Sequence, residues 1–276
     1  MKMFLFRKNY LSSRELRLLF KGGVDFPSST EGKSEDVVDP VDIRNIKQIK
    51  IEKKGPIQGE EAVKNFLLEL PRKGELSYLV FDGVHMQMVI RDMDTGGTIK
   101  VLIPAVSGKS DENEKFDYSA WRWYVKDEGP IPPGIWEILP IDVQEIGIKD
   151  RVLGLVGFGG FPGGTRSWGK NRINIFPVKG TDDCGREGLY IHGGATPDSR
   201  GCLDLVENND LFFAILEKYN NPDSLQPIEV VVDYEDLKDE KIAYTGSDVM
   251  YTVPFPVYAI NHAMLARTNL QNDVCK

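Results

Sequence analysis

Short runs with the two-residue period of β-strands, separated by glycine-rich turns, are the sequence feature that most restricts the fold of this chain. Residues 77–92 (SYLVFDGVHMQMVIRD) and 98–108 (TIKVLIPAVSG) are two such runs, and the DMDTGG segment at their junction has the composition of a hairpin turn. The 276 residues include 27 glycines and 16 prolines, which disfavours a bundle of long helices. We therefore predict a mainly β fold of the α+β kind.

Further strands and two helices are expected along the rest of the chain. Strands are indicated in GPIPPGIWEILPI, near the end of WGKNRINIFPV, in LYIH and in QPIEVVVDY. Residues 60–70 (EEAVKNFLLEL) have the pattern of an amphipathic helix. Asp204 and Glu207 have the spacing of a capping box, and LVENNDLFFAILEKY continues with apolar residues at helical intervals. A second helix is therefore predicted to begin near Asp204.

The chain is predicted to have three segments. Residues 1–72 are charge-dense and rich in turn residues, so we interpret them as an N-terminal extension that serves as an adaptor or delivery segment. The alternative is that the helix at 60–70 packs on the main domain. Residues 73–236 are the predicted catalytic domain, and residues 237–276 form a C-terminal tail packed on it or extending from it.

Composition limits the partners of the protein. A net charge of −8 and an isoelectric point near 5.1 argue against nucleic acid or an anionic membrane, because both repel an acidic surface. No run approaches the roughly 18 apolar residues that a membrane span needs. The apolar segment at Met3–Phe6 is too short for a secretory signal, so synthesis in the cytoplasm without a Sec signal is expected.

His192 and Cys202 lie together in residues 191–205 (IHGGATPDSRGCLDL), although the chain has only three histidines and three cysteines. A nearby imidazole and a helix N-terminus both lower the pKa of a thiol, which favours a cysteine nucleophile. Gly201 allows an unusual backbone conformation, so the amides of Arg200 to Cys202 are candidates for an oxyanion hole. Gly193 turns the chain after the histidine.

Other interpretations of this segment are open. Cys202 could be an inert buried thiol beside a structural histidine, or it could form a disulfide bond with Cys184, leaving Cys275 as a tail residue. A metal site needs two further ligands, which Asp198 or Asp204 alone does not supply, and we expect no metal. The glycines at 157–164 are not followed by a P-loop lysine, so no nucleotide cofactor is expected either.

The segment resembles the active-site signature of the YkuD-type L,D-transpeptidases, in which a histidine precedes a Ser/Thr, His, Gly, Cys motif. Ser199, Gly201 and Cys202 match that motif. The resemblance is stronger to the L,D-transpeptidase-like effectors of type VI secretion, on the ordered series FDG, PAVSG, GPIPPGIWEI, WGKNRINIFP, LYIHGG and SRGCLDL. It covers roughly Leu79 to Tyr234 and implies a β-sandwich or barrel with a helix after the catalytic cysteine.

The resemblance implies Cys202 as nucleophile and His192 as its base, with a backbone carbonyl orienting the imidazole. Residues expected to shape the site or the oxyanion hole are Gly201, Ser199 and Gly193. Residues expected to bind substrate are Arg200, Asp204, Trp168 and Arg166. The chain departs from the main pattern at two of these positions, since Arg200 replaces the second histidine of the motif and Asp204 lies where a basic residue is common.

Such enzymes act on the stem peptides of peptidoglycan, between diaminopimelate and D-alanine. The resemblance implies L,D-carboxypeptidase or D-amino-acid exchange activity in a secreted antibacterial effector that acts in the periplasm of a target bacterium. It also implies two partners, a cognate immunity protein and a component of the secretion machine. Two alternatives are a papain-like or NlpC-type amidase that uses Cys202 with His262, and a non-catalytic peptidoglycan-binding module.

Overall fold

The structure is a computed structural model, and it describes residues 51–155, 160–221, 224–237, 240–252 and 255–256. Predictions for residues 1–50, for His262 and for Cys275 lie outside these ranges. The described chain is mainly β, as predicted. Its helices are α1 (Glu60–Glu69), α2 (Ile148–Leu155), α3 (Thr165–Trp168) and α4 (Asn209–Tyr219).

A mixed sheet of nine strands, counted within the described ranges, forms the larger layer. In spatial order it contains β1 (Ile51–Pro56), β15 (Asp248–Thr252), β4 (Gly97–Pro104), β3 (His85–Asp92), β2 (Gly74–Phe81), β13 (Ile228–Val232), β7 (Gly134–Ile138) and β10 (Phe176–Pro177), and β16 (Phe255–Pro256) pairs with β4. The hairpin predicted around DMDTGG is confirmed as β3 and β4. The first predicted run splits into β2 and β3, because the Asp82 carboxylate accepts hydrogen bonds from the backbone N–H groups of Val84 and His85 and closes a turn.

A second, five-stranded sheet holds the candidate site. In spatial order its strands are β5 (Val106–Ser107), β12 (Leu203–Asp204), β11 (Tyr190–His192), β9 (Asn171–Asn174) and β8 (Gln144–Glu145). Strands β11 and β12 are parallel, whereas β11 and β9 are antiparallel. A separate two-stranded ribbon consists of β6 (Lys115–Asp117) and β14 (Lys241–Ala243).

The two faces of the smaller sheet differ in chemistry. Ile173, Ile191 and Leu203 are aligned across β9, β11 and β12, and all three are fully buried in the hydrophobic core. Because successive side chains in a strand point to opposite faces, His192 and Arg172 lie on the other face. The core therefore fixes the strand register, and the register decides which polar side chains lie together.

Helix α4 closes the core between the two sheets. Its apolar residues are buried, and it packs against β2 and β9. At its first residue, Asn209 Oδ1 accepts hydrogen bonds from Lys170 N and Asn171 N, and Asn209 Nδ2 donates to Asn171 O. The start of the helix thereby anchors the start of β9.

Residues 51–72, which the sequence analysis assigned to an N-terminal extension, share the sheet and the core of the residues that follow. Strand β1 pairs with β15, and α1 buries Val63 and Phe66 in the same core. Tyr219 Oη in α4 also donates to Pro71 O over 2.8 Å. Residues 51–72 are therefore part of the packed unit, which agrees with the alternative of a helix packed on the main domain.

The helix after the cysteine begins later than predicted. Asp204 belongs to β12, a 3₁₀ turn follows at Val206–Asn208, and α4 begins at Asn209 without a side-chain cap. The capping box does not form because the Asp204 carboxylate accepts from Val206 N instead, while Glu207 accepts a hydrogen bond from Tyr244 Oη. None of the helices in the described ranges is long and apolar enough to cross a membrane.

Candidate active site

His192 is the last residue of β11, as the sequence predicted, and its side chain is only 4% exposed. Its Nδ1 lies 2.8 Å from the carbonyl oxygen of Gly193, which can only accept a hydrogen bond. The proton of the neutral ring therefore lies on Nδ1, and Nε2 keeps its lone pair. An imidazole in this tautomer can accept a proton at Nε2.

Cys202 lies in the loop before β12, with a free thiol that is 7% exposed. Because the thiol is free, the considered disulfide bond between Cys184 and Cys202 does not form. Ser199 fixes this loop, since its Oγ donates to Cys202 O and accepts from Gly108 N. Ser199 therefore acts on the shape of the loop, as expected.

The candidate nucleophile lies directly before β12, and its candidate base ends the neighbouring strand β11. The parallel register aligns His192 with Asp204, so Cys202 lies two positions earlier, beside Tyr190. A hydrogen bond with the backbone of Tyr190 lowers the pKa of the thiol, although less than burial raises it. Among the contacts of the described residues, none joins Cys202 Sγ to an imidazole nitrogen of His192. A thiol hydrogen bond to Nε2 is therefore not formed in this conformation, as is common for catalytic pairs before substrate binds.

Burial determines the protonation of both groups. It raises the pKa of Cys202 to about 11 and lowers the pKa of His192 to about 4. The prediction of a lowered thiol pKa is wrong, because desolvation outweighs the nearby charges and α4 begins only at Asn209. At neutral pH the pair is a neutral thiol beside a neutral imidazole.

Asp204 was expected to bind substrate, but only 1% of it is exposed, so it makes no direct contact with a ligand in this conformation. Its carboxylate accepts from Val206 N over 2.8 Å and from Asp198 N over 3.3 Å. Oδ1 lies 3.9 Å from His192 Nδ1. Desolvation by burial raises the pKa of Asp204 to about 7. Asp204 is thus placed to support the His192 ring rather than to hold substrate.

Gly193 and Gly201 are required by the space around them. A Cβ at Gly193 would lie 2.5 Å from Asn209 Cβ and 2.5 Å from Val206 O. Gly201 has φ +103°, and a Cβ there would lie 1.8 Å from Arg186 Nη2. Both glycines therefore permit close packing at the site, which agrees with their predicted shaping role.

Arg186 is a buried residue of the site that sequence reasoning missed. Its Nη1 donates to Trp123 O and Pro130 O, and its Nη2 donates to Gly129 O and Arg200 O. One guanidinium thus ties the loop before Cys202 to the loop at Gly129–Pro130. The four carbonyl acceptors are distant in sequence, so no local pattern could have identified this role.

Arg172 is a second buried arginine that was missed, and it is 7% exposed. Its Cζ lies 3.8 Å from the ring centre of Phe161, 4.4 Å from that of Tyr190 and 4.6 Å from that of Trp168. Its positive charge also lowers the pKa of both Cys202 and His192. The available signal was the position of this arginine directly before the alternating apolar and polar residues of INIF, a pattern that predicts a strand.

The four predicted substrate-binding residues are thus in different settings. Trp168 is at the site, with its ring 4.9 Å from that of His192. Arg166 is exposed, and only its carbonyl oxygen contributes locally, by accepting from Ala195 N. Arg200 is also exposed, so the structure does not give it the inward position that a carboxylate contact needs.

Within the described ranges, no group of three or more His, Cys, Asp and Glu side chains is arranged to hold a metal ion. The arrangement is that of a thiol, an imidazole with a free Nε2 and a polypeptide loop held by buried arginine. No family model matches the chain, and no curated protein is similar to it in sequence.

Proposed function

We propose that this protein is a cysteine-dependent enzyme that modifies peptidoglycan stem tetrapeptides, as an L,D-carboxypeptidase, as a D-amino-acid exchange enzyme, or as both. The observation that supports it most is the tautomer of His192, since the Gly193 carbonyl holds the Nδ1 proton and leaves Nε2 as a base on the strand next to the segment that carries the free thiol of Cys202. An inert buried cysteine needs no such neighbour. The YkuD-like signature supplies the substrate class.

In the first step, His192 Nε2 takes the proton of the Cys202 thiol while the sulfur attacks the carbonyl carbon of the diaminopimelate residue. Because both groups are neutral at rest, proton transfer accompanies the attack rather than preceding it. The backbone amides of Arg200 to Cys202 are the proposed donors to the developing oxyanion. The imidazolium then protonates the nitrogen of D-alanine, the carbon–nitrogen bond breaks, and a thioester remains on Cys202.

In the second step, water or an amine attacks the thioester and His192 accepts its proton. The carbon–sulfur bond breaks, and the proton returns from His192 to the Cys202 sulfur. Water yields a tripeptide and a carboxypeptidase reaction. The amine of a D-amino acid yields an exchanged tetrapeptide, and the amine of a second stem yields a cross-link.

Asp204 supports the imidazolium that forms in these steps. Its Oδ1 is 3.9 Å from His192 Nδ1, so a carboxylate there favours the charged ring electrostatically. The ring of Trp168 contacts the imidazole of His192 and restricts its orientation. These two residues position the base and do not touch the reacting atoms in this proposal.

The biological role follows from the same resemblance. We propose a secreted antibacterial effector of the L,D-transpeptidase-like kind, made in the cytoplasm and acting in the periplasm of a target bacterium. A cognate immunity protein and a component of the secretion machine are the proposed partners.

Mass spectrometry of disaccharide tetrapeptides incubated with the protein, with and without D-methionine, tests this function. The wild type is expected to release D-alanine, and an adduct of D-methionine identifies exchange. Cys202→Ala and His192→Ala are each expected to be inactive, with unchanged circular dichroism. His262→Ala is the matched comparison, because an NlpC-type amidase loses activity with His262→Ala and keeps it with His192→Ala. Unchanged tetrapeptide with every protein leaves the non-catalytic binding module as the better account.

A further inference from the structure

The cage around Arg172 has the chemistry of an anion site. Three aromatic rings, those of Phe161, Trp168 and Tyr190, surround the guanidinium. Arg172 Nε donates to Gln144 Oε1 over 2.9 Å. Within the described residues, this is the single hydrogen bond of a side chain that carries five N–H donors. The donors on Nη1 and Nη2 are therefore available to a ligand.

The charge of Arg172 is also unbalanced locally. Among the described residues no carboxylate forms a salt bridge with it, and Asp150 acts on it only electrostatically. Desolvation by burial lowers the pKa of Arg172, although arginine keeps its charge in proteins. A buried cation without a bound anion gains more from an incoming carboxylate than an exposed one does, because its solvation is already lost.

The strand register places this cation beside the base. Strands β9 and β11 pair Asn174 with Tyr190 and Ile173 with Ile191. One step further in the same antiparallel register, Arg172 lies opposite His192 on the same face of the sheet. Cross-strand neighbours of this kind have Cβ atoms about 5 Å apart. Trp168 also contacts both side chains, with ring distances of 4.9 Å to His192 and 4.6 Å to the guanidinium.

The leaving residue of the proposed reaction meets His192 through its nitrogen, which His192 protonates. The α-carboxylate of that residue is attached to the next carbon, so it lies within reach of a cation that is a cross-strand neighbour of the base. We propose that Arg172 binds the free α-carboxylate of the D-amino acid that leaves, and that the enzyme therefore acts only on stem peptides with an unblocked C-terminus. This inference rests on the function proposed above.

The other two arginines near Cys202 do not have this capacity. Arg186 donates to four backbone carbonyls, so its guanidinium is already engaged. Arg200 is exposed. Arg172 is thus the buried arginine at the site with donors to spare, and planar two-point contact with a carboxylate is the interaction for which a guanidinium is suited.

The first test changes the substrate and leaves the protein intact. Wild-type protein is given a tetrapeptide with a free C-terminal D-alanine, the same peptide with a C-terminal carboxamide, and a peptide amidated at the diaminopimelate side chain instead. We expect kcat/KM to fall about 100-fold for the C-terminal carboxamide, as is typical for loss of a charged hydrogen-bonded pair. Amidation of diaminopimelate should have little effect. The opposite order of the two amides, or equal rates for all three peptides, overturns the proposal.

The second test changes the protein. Arg172→Gln is expected to lose the preference for the free carboxylate and to process both C-terminal forms at a similar low rate, whereas Arg172→Lys should recover part of the preference. The matched control is Arg72→Gln, which changes an exposed arginine in the loop between α1 and β2 and should behave as wild type. A purely structural Arg172 would lower activity on both forms equally and would leave their ratio unchanged.

Calorimetric binding of the same peptides to Cys202→Ala separates this proposal from the reaction. Tighter binding of the free carboxylate without any turnover by the wild type supports Arg172 and refutes the proposed chemistry. Turnover without carboxylate preference refutes Arg172 alone. If the protein shows no binding and no turnover, both proposals are refuted.

Discussion

Replacing Gly201 by alanine tests whether Arg186 holds the loop that carries the nucleophile. The new Cβ would lie 1.8 Å from Arg186 Nη2 and 3.2 Å from Gly129 O, and φ at this position is +103°. The guanidinium is flexible, but it can move away only by leaving Gly129 O and Arg200 O, to which Nη2 donates over 2.8 and 2.9 Å. Two effects therefore add, backbone strain and loss of buried hydrogen bonds.

Gly180→Ala isolates the first effect. Gly180 has φ +101°, nearly the same as Gly201, and nothing lies within 4 Å of a Cβ there. Strain at such a backbone conformation costs on the order of 1–3 kcal/mol. Each hydrogen bond from a charged donor contributes about 1.5–3 kcal/mol. We therefore expect Gly201→Ala to lower the free energy of unfolding by about 3 kcal/mol more than Gly180→Ala does.

Urea denaturation of both variants measures this difference. Gly201→Ala should also abolish D-alanine release, because the amides around Cys202 shift, while Gly180→Ala should retain it. In an Arg186→Ala background the space is open, so Gly201→Ala should cost little beyond backbone strain. Equal destabilisation by the two glycine variants in the wild-type background, within about 0.5 kcal/mol, would refute the role assigned to Arg186.

Three further predictions concern the protonation and packing of the site. Because burial raises the pKa of Cys202 to about 11, alkylation by iodoacetamide should be slow at pH 7 and rise about tenfold per pH unit up to pH 9; a rate that is already constant above pH 6 would indicate a preformed thiolate. The pKa of Asp204 in the folded protein, about 7, exceeds its ordinary value of 3.8, so its contribution to stability is present below pH 4 and is lost as pH rises through 7. The free energy of unfolding of Asp204→Asn should therefore rise relative to that of wild type by up to about 4 kcal/mol between pH 4 and pH 8. A difference that does not depend on pH would contradict this. Trp168→Ala should lower kcat about tenfold by freeing the His192 ring, whereas Trp168→Phe should keep most of the activity; equal kcat for both variants would count against ring contact as the cause.

Local patterns were sufficient to predict much of the scaffold. Three local patterns each specify the secondary structure of an element within a few residues: the alternation around DMDTGG, the apolar spacing of residues 60–70 and the run before His192. The short separation of His192 and Cys202 also placed both on neighbouring segments, because a glycine turn returns the chain to the same sheet. These features depend on local sequence and were therefore accessible.

Features that depend on tertiary contacts could not be predicted from the sequence. The Asp204–Glu207 spacing is that of a capping box, but pairing of Leu203 with Ile191 holds Asp204 in a strand and buries its carboxylate beside His192. Arg172 becomes a neighbour of the site only through the register of β9 against β11. The burial that raises the pKa of the thiol is likewise a property of the packed structure, whereas the motif alone suggested activation by a helix.

The packing of residues 51–72 could not be predicted from composition for a related reason. The sequence boundary was placed at a change in charge density. In the structure, however, α1 packs on α4, and β1 pairs with β15, which lies near the other end of the described chain. The charge density of this segment is set by the solvent-exposed residues of α1, whereas its two buried side chains determine where the helix packs.

Intact-protein mass spectrometry of an acid-quenched reaction tests the central claim most directly. Wild-type protein mixed with tetrapeptide for short times should carry an added tripeptide acyl group, equal to the peptide minus D-alanine, on the fragment that contains Cys202. The adduct should be sensitive to hydroxylamine, as a thioester is, and absent in Cys202→Ala. Release of D-alanine without any acyl group on Cys202, or an adduct on another residue, would contradict the account.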